Sequence, residues 1–116
     1  MASAPLPGRS VRNSASGRPI MALLDLLGRR WALRVVWELV QAPGATFRQL
    51  QQHCDDVSSS VLSQRLGELT EAGIVQRAER GYVLTPDGED LAEELLRLSH
   101  WADRWATHLK EDEDPD

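Results

Sequence analysis

Between Thr46 and Val75 the chain spells two short helices joined by a tight turn, and few folds accommodate that pattern. Thr46 stands where a helix N-cap is wanted, and Phe47 with Leu50 marks the buried side of a brief helix running to about Cys54. Asp55-Asp56-Val57 is the turn, and Ser58 caps the next helix. In that helix Leu62, Leu66 and Leu69 recur at the i, i+4, i+7 spacing of one face. At ~100° per residue, Ser60, Ser63, Gln64 and Gly67 point the other way. One face is apolar, and the other carries small hydrogen-bonding groups with little bulk. A helix entering a nucleic-acid groove has this form, and so does an ordinary capped surface helix. The helix, short turn, helix order is helix-turn-helix geometry.

The flanking segments extend the pattern. Pro19 suits a helix first turn, and Gly28 is a natural stop. The run Ile20 to Leu27 is apolar nearly all round, so it needs cover on more than one side, part of it from another subunit. A second helix is expected over Trp31 to Ala42 with core positions Leu33, Val36, Trp37 and Val40, ended by Pro43-Gly44. After the helix pair, Ile74 to Ala78 and Tyr82 to Thr85 flank Glu79-Arg80-Gly81 as a β-hairpin. Thr85-Pro86-Asp87-Gly88-Glu89 starts the last helix, expected to reach about Leu109. Along it Leu91, Leu95, Leu98, Ala102, Trp105 and Leu109 form a heptad stripe with Trp101 beside it.

The expected fold is mainly α with a small β-hairpin: a winged helix-turn-helix with additional N- and C-terminal helices forming a dimer interface. Residues 1–17, rich in Ala, Ser, Pro and Gly, are expected to be a disordered basic leader, with Arg9 and Arg12 as possible backbone contacts for DNA. Residues 18–109 form the winged helix-turn-helix domain with its flanking dimerisation helices, and residues 110–116 an acidic disordered tail.

The net charge of −5 conceals a split. Residues 1–80 hold ten Lys/Arg and seven Asp/Glu, a balance of +3, whereas residues 81–116 hold three and eleven, a balance of −8. Binding to DNA depends on the local patch, because screening limits fields to ~10 Å at ordinary salt. The split permits DNA binding without requiring it. A single cysteine, Cys54, excludes an internal disulfide framework and a Cys-based zinc cluster. No run resembles a signal peptide, and none approaches the ~20 apolar residues of a membrane span. A soluble cytoplasmic protein is expected, with no membrane partner. His53, His100 and His108 have no metal-ligand arrangement. There is no glycine-rich phosphate loop or nucleophile elbow, so no enzyme, metal or cofactor is expected.

Leu24-Asp25-Leu26-Leu27-Gly28-Arg29-Arg30-Trp31 and Thr46-Phe47-Arg48-Gln49-Leu50 resemble the HxlR family of bacterial transcriptional regulators, cousins of the MarR regulators. The series continues through Val61-Leu62-Ser63-Gln64-Arg65-Leu66, Glu68-Leu69, Glu71-Ala72-Gly73-Ile74-Val75, Tyr82, Leu84-Thr85 and Gly88. It covers roughly Pro19 to Trp105. The resemblance implies a homodimer joined through the first and last helices, with two recognition helices in successive major grooves of double-stranded DNA. Ile20, Leu23, Leu24 and Leu27, with Leu95, Leu98, Trp101, Ala102 and Trp105, are then the interface residues. The chain departs from the family in four places. Arg18-Pro19 stands where members commonly carry a redox-active Cys-Pro, so that switch does not carry over. Ser60 and Gly67 stand where Lys or Arg is frequent, and the hairpin is several residues short.

Ser59, Ser60, Ser63 and Gln64 are the candidates for the groove, since Gln pairs bidentately with adenine and serines reach bases or phosphates. Arg65 could reach phosphate or pair internally with Glu68 or Glu71. Arg48 on the preceding helix, and Arg77 and Arg80 on the hairpin, are candidate phosphate contacts, which add affinity and salt dependence but no sequence information. Trp31, Trp37, Trp101 and Trp105 could line a pocket for a small-molecule effector. The expected function is a sequence-specific, homodimeric repressor on an inverted-repeat operator. The alternative is a winged-helix interaction module that has lost specific DNA binding.

Overall fold

The computed structural model describes residues 4–8 and 17–113. Among the described residues five helices and one hairpin follow the expected order. Helix α1, Pro19–Gly28, starts on its proline and buries Ala22 and Leu26. Helix α2, Ala32–Gln41, follows a sharp corner at Trp31, whose φ of 75° lies in the left-handed region. Helix α3, Phe47–His53, opens with a full capping box: the Gln49 amide donates to Thr46 Oγ1 at 3.1 Å, and the Thr46 amide donates to Gln49 Oε1 at 2.9 Å. Helix α4, Ser59–Glu71, is capped by Ser58 Oγ, which accepts from the Val61 amide at 3.2 Å. Strands β1, Val75–Arg77, and β2, Tyr82–Leu84, pair antiparallel in the register Val75↔Leu84, Gln76↔Val83 and Arg77↔Tyr82. Ala45 bridges to Tyr82, so the hairpin is tied to the segment that leads into α3.

The core joins Leu26, Val35, Val36, Leu39, Leu50, Cys54, Leu62, Leu66, Leu69, Val75 and Leu84. All three leucines of the α4 stripe are therefore inside. On α2 the buried face is Ala32, Val35, Val36 and Leu39. Val36 was expected there; Leu33 was not expected outside, yet it is exposed, with Trp37 and Val40 half-buried. Leu33 and Trp37 instead line a shallow groove with Leu95, Leu98 and Ala102 of the last helix.

That last helix, α5, Pro86–Glu113, is longer than expected: residues 110–113, assigned to the acidic tail, continue it. Lys110 and the glutamates there are good helix formers, and no Gly or Pro intervenes before Pro115. Its 28 residues span ~42 Å, against a longest molecular dimension of 54 Å. Among its described residues Ala92 is the one buried apolar side chain; Leu98, Trp101, Trp105 and Leu109 stand half-exposed, as do Ile20 and Leu24 on α1. Among the described residues no helix is long and apolar enough to cross a membrane.

The leader needs one correction. Ala4 and Pro5 are buried, and the Ala4 amide donates to Glu71 Oε2 at 3.2 Å, so this part packs on the end of α4. The reason is local composition, since Ala4-Pro5-Leu6 is an apolar triplet with little entropy to lose at its proline. Arg9 and Arg12 lie outside the described residues, as do residues 114–116 of the tail.

Candidate nucleic-acid interface

The turn between α3 and α4 is built by residues that tolerate unusual backbone. Asp55 and Asp56 have φ of 55° and 57°, a conformation Asp adopts more readily than most residues. Gln51 then spans the turn: its Nε2 donates to the Val57 carbonyl at 2.9 Å and to Ser59 Oγ at 3.2 Å. Sequence periodicity gives no sign of this brace, because it depends on where the turn carries Val57. The brace fixes α4 relative to α3 and engages Ser59, one of the expected groove residues.

The outward edge of α4 is as the spacing predicts. Ser60, Ser63, Gln64 and Gly67 are all exposed, opposite the buried leucines. Ser60 Oγ lies 3.5 Å from Ser58 Oγ. Beyond Gly67 the edge continues to Thr70, which the helical spacing places one turn further and which sequence reading left out. Between this edge and the hairpin runs a groove of about 440 Å³ lined by Ser63, Gly67, Thr70, Arg77 and Tyr82, with Leu66 and Glu71 at its side. Arg77 is held over it: its Nη1 donates to the Tyr82 hydroxyl at 3.3 Å, and its guanidinium sits 5.3 Å from the Tyr82 ring centroid. Arg48 on α3 and Arg80 at the hairpin turn are exposed, and among the described residues neither has an ion-pair partner.

Arg65 does not join them. Its Nε donates to the Arg30 carbonyl at 2.7 Å, its Nη1 to Glu68 Oε1 at 2.9 Å, and its side chain is only 15% exposed. The internal pairing with Glu68 takes the place of a phosphate contact, because a charge already satisfied at a half-buried site gains little by leaving it.

The four tryptophans occupy three separate settings. Trp31 forms the α1–α2 corner with the Arg30 guanidinium 5.7 Å from its ring. Trp37 borders the α2–α5 groove. Trp101 and Trp105 stack on each other at 5.8 Å on the outside of α5. A different cleft, of about 390 Å³, lies between α2, β2 and α5, lined by Leu39, Val83, Leu84, Ala92 and Leu96 together with Glu89 and Glu93. Cys54 is fully buried, and that burial pushes its thiol up.

The chain is similar in sequence and fold to known proteins. The family model described as HxlR-like helix-turn-helix matches residues 26–110. YvaP of Bacillus subtilis strain 168, named as an uncharacterized HTH-type transcriptional regulator, is 33% identical over 89 residues, 71% of this chain and 82% of YvaP. Among solved structures, quinone-bound YodB from B. subtilis is 29% identical and matches with a TM-score of 0.67 over 73% of this chain and 96% of that one. A protein of Enterococcus faecalis V583, described as a candidate transcriptional regulator of the MarR family, is 28% identical, with a TM-score of 0.71 over 79% of this chain and 89% of that one. The family model and the relative YvaP each cover most of the chain, and the chain belongs to the HxlR-like helix-turn-helix family of transcriptional regulators.

Proposed function

We propose that the protein is a homodimeric repressor that binds an inverted-repeat operator by inserting α4 into the major groove. The observation that carries this reading is the exposed edge Ser60-Ser63-Gln64-Gly67 beside a groove over which Tyr82 holds Arg77. Gln64 is the base reader, with serine hydroxyls beside it. Arg48, Arg77 and Arg80 grip phosphates. The second copy covers Ile20 and Leu24 of α1 and the Leu98, Trp101 and Trp105 side of α5, which a lone chain leaves to water. Two-fold symmetry then places half-sites about one helical turn apart. The α2–β2–α5 cleft is the seat of a small-molecule effector in this reading, and occupancy there releases the duplex.

Fluorescence anisotropy against duplexes from the protein's own upstream region tests it. Gln64→Ala is expected to lose ~1–3 kcal/mol of discrimination while keeping affinity for random duplex. Arg48→Ala is expected to weaken binding to every sequence alike and to lower the salt slope by ~1. Equal affinity for upstream and random duplex at low salt would end this reading and leave the fold as an interaction module. Light scattering at micromolar concentration is expected to give twice the chain mass of 13.0 kDa, and a clean monomer would remove the dimer.

A further inference from the structure

Among the described residues Glu68 is the charged residue that the fold buries most completely, at 2% exposure, and it lies on the proposed recognition helix itself. Its carboxylate faces away from the groove edge. Oε2 accepts from Arg29 Nη1 at 2.5 Å and Oε1 from Arg65 Nη1 at 2.9 Å. Arg29, the C-cap of α1, also reaches Asp25 of α1 at 3.5 Å. Arg65 closes the other side by bonding the Arg30 carbonyl. One carboxylate thus bolts α4 to the last turn of α1 and to the corner before α2, where Trp31 already holds the chain in a left-handed conformation.

Stability alone does not account for this network. Taking charges out of water costs several kcal/mol per ion, and a well-packed apolar set of similar volume is often as stable or more so. Arginine–carboxylate bonds supply direction instead: planar donors fix the angle at which two elements meet. The two elements here are the helix proposed to read DNA and the helix whose exposed Ile20 and Leu24 are proposed to face the second copy.

We propose that Glu68 is a positioning residue that sets the separation of the two recognition helices, and with it the spacing of operator half-sites. This rests on the dimeric, DNA-binding reading above. Without the carboxylate α4 keeps its own outward edge, so its base preferences survive. It loses a fixed angle to α1, so the distance between its two copies in the dimer is no longer single-valued.

Selection of bound duplexes from a random library, with full-length wild type and Glu68→Gln in parallel, reads this directly. The wild-type pool is expected to show paired half-sites at one spacing. The Glu68→Gln pool is expected to keep the same half-site bases while preference for that spacing over its neighbours one base pair away drops ~10-fold. The salt slope is expected to stay unchanged, since Glu68 touches no phosphate. An unchanged spacing preference, or altered half-site bases, overturns the proposal. Should Glu68→Gln fail to fold, Arg65→Lys keeps the charge, loses the Arg30 bond and is judged by the same criteria. A wild-type pool without paired half-sites sinks the regulator reading itself, a result separable from a variant that matches a well-defined wild-type pool.

Discussion

Gly88→Ala is expected to lower the melting temperature by ~5–10 °C, although alanine is the better helix former by ~1 kcal/mol. Gly88 lies in the first turn of α5, where its amide donates to Thr85 Oγ1 at 3.0 Å. A Cβ at this position would sit 2.1 Å from the Ile74 carbonyl oxygen and 3.2 Å from Leu84 Cβ. The carbonyl cannot swing away, because it accepts from the Thr85 amide at 2.9 Å. That bond joins the start of β1 to the end of β2. Relief must therefore come from moving α5 off the hairpin, which opens the core at Leu84 and Ala92. Overpacking of this kind costs ~1–3 kcal/mol or more, which outweighs the gain in helix propensity. Thermal unfolding followed by circular dichroism checks this; an unchanged or higher midpoint would show that α5 does not pack against Ile74 as described.

Features set by neighbouring residues were legible in the sequence. Thr46, Ser58 and Thr85 cap their helices as read, because a cap needs only a side-chain oxygen and an amide three residues on. Leu62, Leu66 and Leu69 are buried as their spacing requires. The failures share a cause of longer range. On α2, Leu33 and Val36 both lie on apolar faces, and periodicity cannot tell the face that meets the core from the one left beside α5. Arg65 reads as a phosphate contact or an internal partner of Glu68 or Glu71; the Glu68 pair is the one formed, and the carbonyl 35 residues earlier that completes its shell is invisible to local pattern. Glu68 is legible as a partner for Arg65, but its second arginine, Arg29, and its burial come only with the approach of the α1–α2 corner. The residues of the candidate site were visible by their exposure, whereas the bonds that aim them, from Gln51, Tyr82 and Glu68, were not.

The same change made at Gly67 has the opposite expected effect on stability. Gly67 lies in the middle of α4, is exposed, and a Cβ there would meet nothing within 4 Å. An open glycine inside a helix costs ~0.5–1 kcal/mol relative to alanine, so Gly67→Ala is expected to raise the melting temperature by ~5 °C. Nothing within the fold explains why the position is left bare. The proposed function does, because the missing side chain lies between Ser63 and Thr70 on the wall of the groove facing Arg77. A duplex strand seated there comes close to the helix backbone, and a methyl group in its way imposes an overpacking cost of ~1–3 kcal/mol, or ~10-fold or more in affinity. Melting and anisotropy on one preparation separate the possibilities. A higher midpoint with weaker operator binding places DNA against the backbone at Gly67. A higher midpoint with unchanged binding moves the grip outward, to Arg48, Arg77 and Arg80. A lower midpoint would mean that the fold itself needs the glycine, against the open space around it.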